Sequence, residues 1–117
     1  MTLNRLAGRR ILLVEDEYLI AEDIRCLLEE AGAVVVGPAP TVTRALALIE
    51  AEPAIDGAIL DVNLGGEKSF PVAEALRRRS APFLFATGYN LDDMPPEWRS
   101  ARCVIKPITP DTLATIL

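Results

Sequence analysis

The sequence predicts an α/β domain in which a parallel sheet is covered by helices on both faces. Two observations carry that expectation. Short apolar runs such as Ile11-Leu12-Leu13-Val14 and Ala58-Ile59-Leu60 alternate along the chain with longer stretches of helical periodicity, the pattern of strands buried on both faces by crossover helices. Polar residues then close these runs: Glu15 and Asp16 follow the first, and Asp61, Thr87 and Lys106 follow three others. In an open parallel sheet, sites form outside the carboxyl ends of the strands, so residues distant in sequence can converge on one small volume. The 117 residues, half of them hydrophobic, are read as one domain spanning 1–117.

Each element has its own signal. The first strand covers residues 10–14 or 15, and a helix follows over 17–31 with Ile20, Ile24, Leu27, Leu28 and Ala31 on one stripe and Gly32 as its C-terminal cap. Val34-Val35-Val36 is a β-branched strand closed by Gly37-Pro38. Thr41 caps a second helix whose Val42, Ala45, Leu46 and Ile49 share a face, with Pro53 just beyond its end. Residues 55–60 form the third strand, and 62–66 a loop leading to a helix with Pro71 in its first turn and Val72, Ala73 and Leu76 inward. The fourth strand is 83–86. Between Tyr89 and Arg99 two adjacent prolines and weak periodicity predict the least ordered segment, with at most a short, irregular helix. Residues 103–105 form the fifth strand, and Thr109-Pro110-Asp111 starts a last helix with Leu113, Ile116 and Leu117 inward.

Composition removes several kinds of chemistry. The formal charge is −5, and the only basic runs are Arg9-Arg10 and Arg77-Arg78-Arg79, the latter read as a solvated helix end. Direct binding of nucleic acid is therefore not expected. Histidine is absent, which excludes Ser-His-Asp and Cys-His catalysis and most catalytic zinc sites. Cys26, on the apolar side of the first helix, and Cys103, in a strand, are read as small buried hydrophobes in a reducing compartment. No apolar run approaches the roughly 18 residues that span a bilayer, and the start lacks the apolar stretch of a signal peptide. A soluble, cytoplasmic protein with no membrane partner is expected.

The polar strand ends suit phosphoryl acceptance. An aspartate attacks phosphorus as its carboxylate, which a solvated Asp already is at neutral pH, so Asp61 needs no general base. Crowding Glu15, Asp16 and Asp61 costs about 4 kcal/mol per pair at 4 Å and an effective dielectric near 20, so the cluster calls for a cation. Mg²⁺ suits it, because it keeps several waters and accepts one or two carboxylates together with phosphate oxygens. The Lys106 ammonium and the Thr87 hydroxyl can stabilise the charge spread over the transferring group. Singly, each residue is ordinary, since an acid after a strand commonly just caps the next helix. The order acid pair, acid, hydroxyl, lysine-proline is what points to function.

Ile11-Leu12-Leu13-Val14-Glu15-Asp16-Glu17, Ile59-Leu60-Asp61-Val62-Asn63-Leu64, Ala86-Thr87-Gly88 and Ile105-Lys106-Pro107 resemble the receiver domain of bacterial two-component response regulators over essentially the whole chain. The resemblance implies a flavodoxin-like (βα)5 fold, doubly wound, with a five-stranded parallel sheet in the order 2-1-3-4-5. It implies Asp61 as phosphoacceptor, Asp16 as a direct Mg²⁺ ligand, Glu15 holding a metal-bound water, Asn63 a ligand through its carbonyl, and a cis bond at Lys106-Pro107. It also implies a sensor histidine kinase or histidine phosphotransfer protein as donor, a downstream effector protein, and no enzymatic activity beyond self-catalysed phosphorylation and autodephosphorylation. Pro82-Phe83-Leu84-Phe85-Ala86-Thr87-Gly88-Tyr89 and the run Asn63 to Phe70 look like those of the single-domain FAT GUY receivers. Where most receivers carry an aromatic switch residue three positions before the lysine, this chain has Cys103, too small to exchange between the same buried and exposed positions. Tyr89 is then either a substitute reporter, coupled to reordering of the stretch from Leu91 to Trp98, or a cover that slows hydrolytic water.

A stand-alone module, monomeric before phosphorylation and able to dimerise after it, and a receiver separated from its output domain are both compatible with this reading. Two other classes are a small phosphate- or nucleotide-binding enzyme on the same scaffold and a pseudo-receiver that binds partners unphosphorylated. The first turn Glu-Asp-Glu-Tyr is not a glycine-rich phosphate cradle, and a pseudo-receiver usually lacks one of the acceptor, acids or lysine present here.

Overall fold

The computed structural model describes residues 6–88, 94–113, 115 and 116. The elements run β1 (Arg10–Val14), α1 (Tyr18–Glu30), β2 (Val34–Ala39), α2 (Val42–Ala51), β3 (Gly57–Asp61), β4 (Asn63–Leu64), β5 (Glu67–Lys68), α3 (Phe70–Arg78), β6 (Phe83–Thr87), a 3₁₀ turn (Pro96–Trp98), β7 (Cys103–Ile105) and α4 (Pro110–Leu113). The main sheet has the order β2-β1-β3-β6-β7 and every pairing in it is parallel. With the hairpin strands β4 and β5 set aside, this is the expected 2-1-3-4-5.

Burial follows from that order. β1 and β3 lie inside the sheet with a layer on each face, so Ile11 to Val14 and Gly57 to Asp61 are all buried. One core gathers under α2 and α3 around Leu12, Leu60, Val72, Leu76 and Phe85; the other lies under α1 and α4 around Ile11, Leu13, Ile24, Leu28, Ile59 and Leu84. Phe85 makes edge contacts with Phe70, Phe83 and Trp98 at centroid distances of 5.7, 5.4 and 5.9 Å, a geometry that adds to the area each ring removes from water.

The caps form as their residues require. Thr41 Oγ1 accepts the Arg44 N–H at 3.1 Å, and Thr109 Oγ1 accepts that of Thr112 at 3.3 Å. Gly32 ends α1 at φ +91°, and a Cβ there would meet Ala7 Cα at 2.9 Å. Gly32→Ala should therefore cost about 1–3 kcal/mol in denaturant unfolding. Gly66→Ala, at φ +97° but facing open space, should cost less; equal losses would remove the close approach as the cause.

Several expectations are corrected. β2 does not stop at Gly37-Pro38 but continues to Ala39; it is an edge strand with a register shift opposite Leu12 to Val14, where a proline's missing N–H is tolerated. β3 begins at Gly57 rather than Ile55, because Asp56 is occupied by Arg10: its carboxylate accepts the Arg10 N–H at 2.8 Å, and its own N–H donates to Arg10 O at 2.8 Å. Leu46 is exposed and Leu48 packs instead against the core. Cys26 is exposed, lying two residues and hence about 200° from buried Ile24; Cys103 is half-buried. The arginine run is not simply solvated: Arg77 lies over the Trp98 ring at 4.2 Å, and Arg79 donates to the carbonyls of Ile49, Glu52 and Pro53 at the end of α2. Within the segment expected to be loose, Met94 and Trp98 are buried, and a three-residue 3₁₀ turn is the only helix among its described residues. Tyr89, the stretch from Leu91 to Asp93, and Leu117 lie outside the described residues.

Candidate functional site

Backbone pairing assembles the site. Glu15 extends β1, its N–H donating to Ala39 O at 3.0 Å, while Asp61 is the last residue of β3 and Thr87 the last of β6. The Lys106 N–H donates to Thr87 O at 2.8 Å, so the lysine leaves β7 beside Thr87 before the cis Lys106-Pro107 bond turns the chain. Glu15, Asp61 and Thr87 are only 3%, 7% and 5% exposed, whereas Asp16 is open to solvent.

One ammonium ties two carboxylates together. Lys106 Nζ donates to Glu15 Oε1 at 2.7 Å and to Asp61 Oδ2 at 3.1 Å. The remaining oxygens accept main-chain N–H groups, Glu15 Oε2 from Glu17 at 3.1 Å and Asp61 Oδ1 from Asn63 at 3.3 Å. Carboxylate oxygens of Glu15, Asp16 and Asp61 lie within 4.8 Å of one another. That all-oxygen set fits a hard divalent cation, and soft metals are disfavoured by the absence of thiolate or imidazole.

Burial lifts the Glu15 carboxyl to about 7, against the lowering pull of the Lys106 and Glu17 hydrogen bonds, and the Asp61 charge adds to the rise. For Lys106 burial pulls downward, but the Glu15 and Asp61 carboxylates outweigh it and the net shift is upward. The ammonium therefore stays charged throughout the neutral range. Burial also raises the Cys103 thiol, which keeps it protonated and unreactive.

The support beside Asp61 is a short hairpin. Residues 62–66 are not a plain loop: β4 and β5 pair antiparallel across Gly65-Gly66, at φ +63° and +97°, the two-residue turn that favours positive φ. Asn63 Oδ1 accepts the Gly66 N–H at 2.9 Å. A Cβ on Gly65 would stand 3.6 Å from Asp16 Oδ2, so the turn packs beside the outer acid. Glu67 reaches away, accepting the Val42 N–H at 3.4 Å and linking the hairpin to α2. The adjacent glycines were the available signal.

All five strand-end residues named from the sequence thus occupy one end of the sheet, with Asn63 on the adjoining hairpin. The family model described as the response regulator receiver domain matches residues 11–117. The chain belongs to the response regulator receiver domain family. Receiver domains are the phosphoacceptor switches of two-component signalling, and this chain is a receiver of that class.

Solved receiver structures agree. The solution structure of SdrG from Sphingomonas melonis Fr1 is 46% identical, has a TM-score of 0.81, and covers 99% of this receiver and 95% of that chain. SdrG in its BeF3-activated conformation is 50% identical over 92% of each chain, with a TM-score of 0.76. TrrA of Thermotoga maritima, solved in complex with Mg²⁺ and BeF, is 28% identical, with a TM-score of 0.77 over 90% of this receiver and 92% of that chain. Among curated relatives, the phyllosphere-induced regulator PhyR of Methylorubrum extorquens is 34% identical over 92% of this receiver and 41% of its own length. The receiver spans between 34% and 53% of the curated relatives it matches. Among the described residues no helix is long and apolar enough to cross a membrane.

Proposed function

We propose that Asp61 is the phosphoacceptor, taking its phosphoryl group from a phosphohistidine of a sensor kinase or histidine phosphotransfer protein. The Lys106 ammonium, bridging buried Glu15 and Asp61 at 2.7 and 3.1 Å, carries this reading. It brings positive charge against the acceptor carboxylate, where a nucleophilic oxygen is needed. As the new P–O bond to Asp61 forms, the P–N bond breaks; the nitrogen leaves with the electron pair and is protonated on the donor side. Lys106 and Thr87 stabilise the equatorial oxygens.

Glu15, Asp16, Asp61 and the Asn63 main-chain carbonyl are the groups that would hold Mg²⁺. When bound, the ion supplies the charge that offsets the carboxylates and the transferring oxygens. The Asn63 side chain is engaged in the hairpin turn, which leaves its main chain as the contributor. The receiver works in the cytoplasm, as a stand-alone module or as the receiver of a longer regulator, monomeric before phosphorylation and able to dimerise after it, and passes its state to an effector protein. Phosphorylation draws Thr87 inward and is read through the chain beyond Gly88, with Tyr89 in place of the aromatic that Cys103 replaces. Incubation with acetyl phosphate and Mg²⁺ should add one phosphoryl group to the intact mass; an unchanged mass sinks the proposal.

Glu15 makes metal binding pH-dependent. Its proton must leave before the carboxylate can serve a cation, so Mg²⁺ affinity should rise about tenfold per pH unit up to the carboxyl's value near 7 and level off above it. Because that value exceeds the unfolded one of 4.5, Glu15 favours the metal-free fold at low pH and loses that contribution as pH rises through about 7. Calorimetric Mg²⁺ titrations flat from acid to neutral pH would refute this.

A further inference from the structure

A second hollow opens at the opposite end of the sheet. A cavity of about 430 Å³ lies beside the starts of β6 and β7, with Pro82 and Phe83 at one strand, Arg102 before the other, and Arg77, Ser80 and Ser100 around it. β6 spans five residues from Phe83 to Thr87, and their four steps separate this hollow from the acid cluster by roughly 13 Å along the strand. It is not part of the acceptor site.

Its charge is the reverse of the chain's. The protein carries −5 overall, yet among the described residues no Asp or Glu lines this cavity and two arginines do. Among the described residues neither arginine is in an ion pair. Both guanidinium groups are nevertheless held. Arg77 lies 4.2 Å over the Trp98 ring, a cation–π contact that fixes where its charge sits. Arg102 Nη1 donates to Thr115 O, which spends one of the five donors a guanidinium offers. Part of the rotamer entropy that two free arginines would lose on binding is thereby already lost.

The Ser80 and Ser100 hydroxyls add donors. Ser80 sits at φ +57°, a left-handed conformation uncommon for a non-glycine residue, and its N–H is bonded to Arg77 O at 3.0 Å. Pro82, Phe83 and Ile116 give the cavity an apolar side. Guanidinium forks with hydroxyls match a phosphate, and the hollow is open to solvent on one side, so a phosphate-bearing ligand can enter it. We infer that this cavity is a second ligand site, taking a small molecule that carries a phosphate group on an apolar or aromatic body.

Phenyl phosphate is a suitable probe, and Trp98, the chain's one tryptophan, is its reporter. Titration without Mg²⁺, in an Asp61→Asn, Lys106→Ala background that removes anion binding at the acceptor end, should change Trp98 fluorescence saturably and shift the amide resonances of Ser80 and Ser100. Arg77→Gln and Arg102→Gln, both at exposed positions, should each weaken binding about tenfold or more, the loss of one charge-assisted contact, read from the Ser100 amide. Inorganic phosphate should bind more weakly than phenyl phosphate. A linear response, affinity unchanged in both arginine variants, or loss of all binding in the acceptor-end background would each overturn the inference.

Discussion

Asp61→Asn should abolish phosphoryl uptake: after incubation with acetyl phosphate and Mg²⁺ its intact mass should stay at the unmodified value while the parent protein gains one group. The amide keeps the shape of the carboxylate but is a poor nucleophile, so chemistry is lost with little change in packing. The apolar core beneath is untouched. Removing the charge also removes the repulsion that helps raise Glu15, and Lys106 keeps its 2.7 Å contact with Glu15. These opposing changes should hold the melting temperature within about 5 °C of the parent, a change near 1 kcal/mol. Mg²⁺ should bind at least about tenfold more weakly, since the set of three carboxylates becomes two. A variant that folds, binds Mg²⁺ normally and still gains a phosphoryl group would place the acceptor elsewhere.

Phe85→Ala should be the most damaging single truncation, costing about 3–5 kcal/mol in denaturant unfolding. Phe85 is fully buried between β3 and β7 and meets Phe70, Phe83 and Trp98. Truncation removes the contact area of one ring and three edge contacts, and leaves a cavity that strands bonded on both sides cannot close. Against the roughly 5–15 kcal/mol that holds a domain together, such a loss should lower the melting temperature by more than about 10 °C. Phe85→Leu keeps most of the volume and should cost about 1.5 kcal/mol or less. Equal effects of the two substitutions would mean that volume at this position does not govern stability.

The strand ends were legible for a definite reason. Parallel strands covered on both faces must be apolar throughout, so a carboxylate, hydroxyl or ammonium right after such a run marks where the strand leaves the core. Glu15, Asp61, Thr87 and Lys106 could be picked out on that ground, and the geometry gathers them together. The hairpin of β4 and β5 was not legible as strand, because two residues are too few to show a period. Leu46 and Cys26 were misplaced because an apolar stripe has edges, and which edge is covered depends on the neighbouring element. Trp98 stood in a proline-broken stretch with no periodicity, and it is buried only because Phe70, Phe83 and Phe85 from two other elements offer it a surface.

By itself, then, the order of apolar and polar residues determined the α/β class, the strands and the set of polar groups at their carboxyl ends, since burial on two faces leaves a local imprint on each segment. Tertiary structure alone decided that Lys106 bridges Glu15 and Asp61, that burial lifts Glu15 to about 7, and that Arg77 and Arg102 share a hollow at the far end. Distances, desolvation and pairing between residues dozens of positions apart come from how the helices cover the sheet, and no local run of sequence carries them.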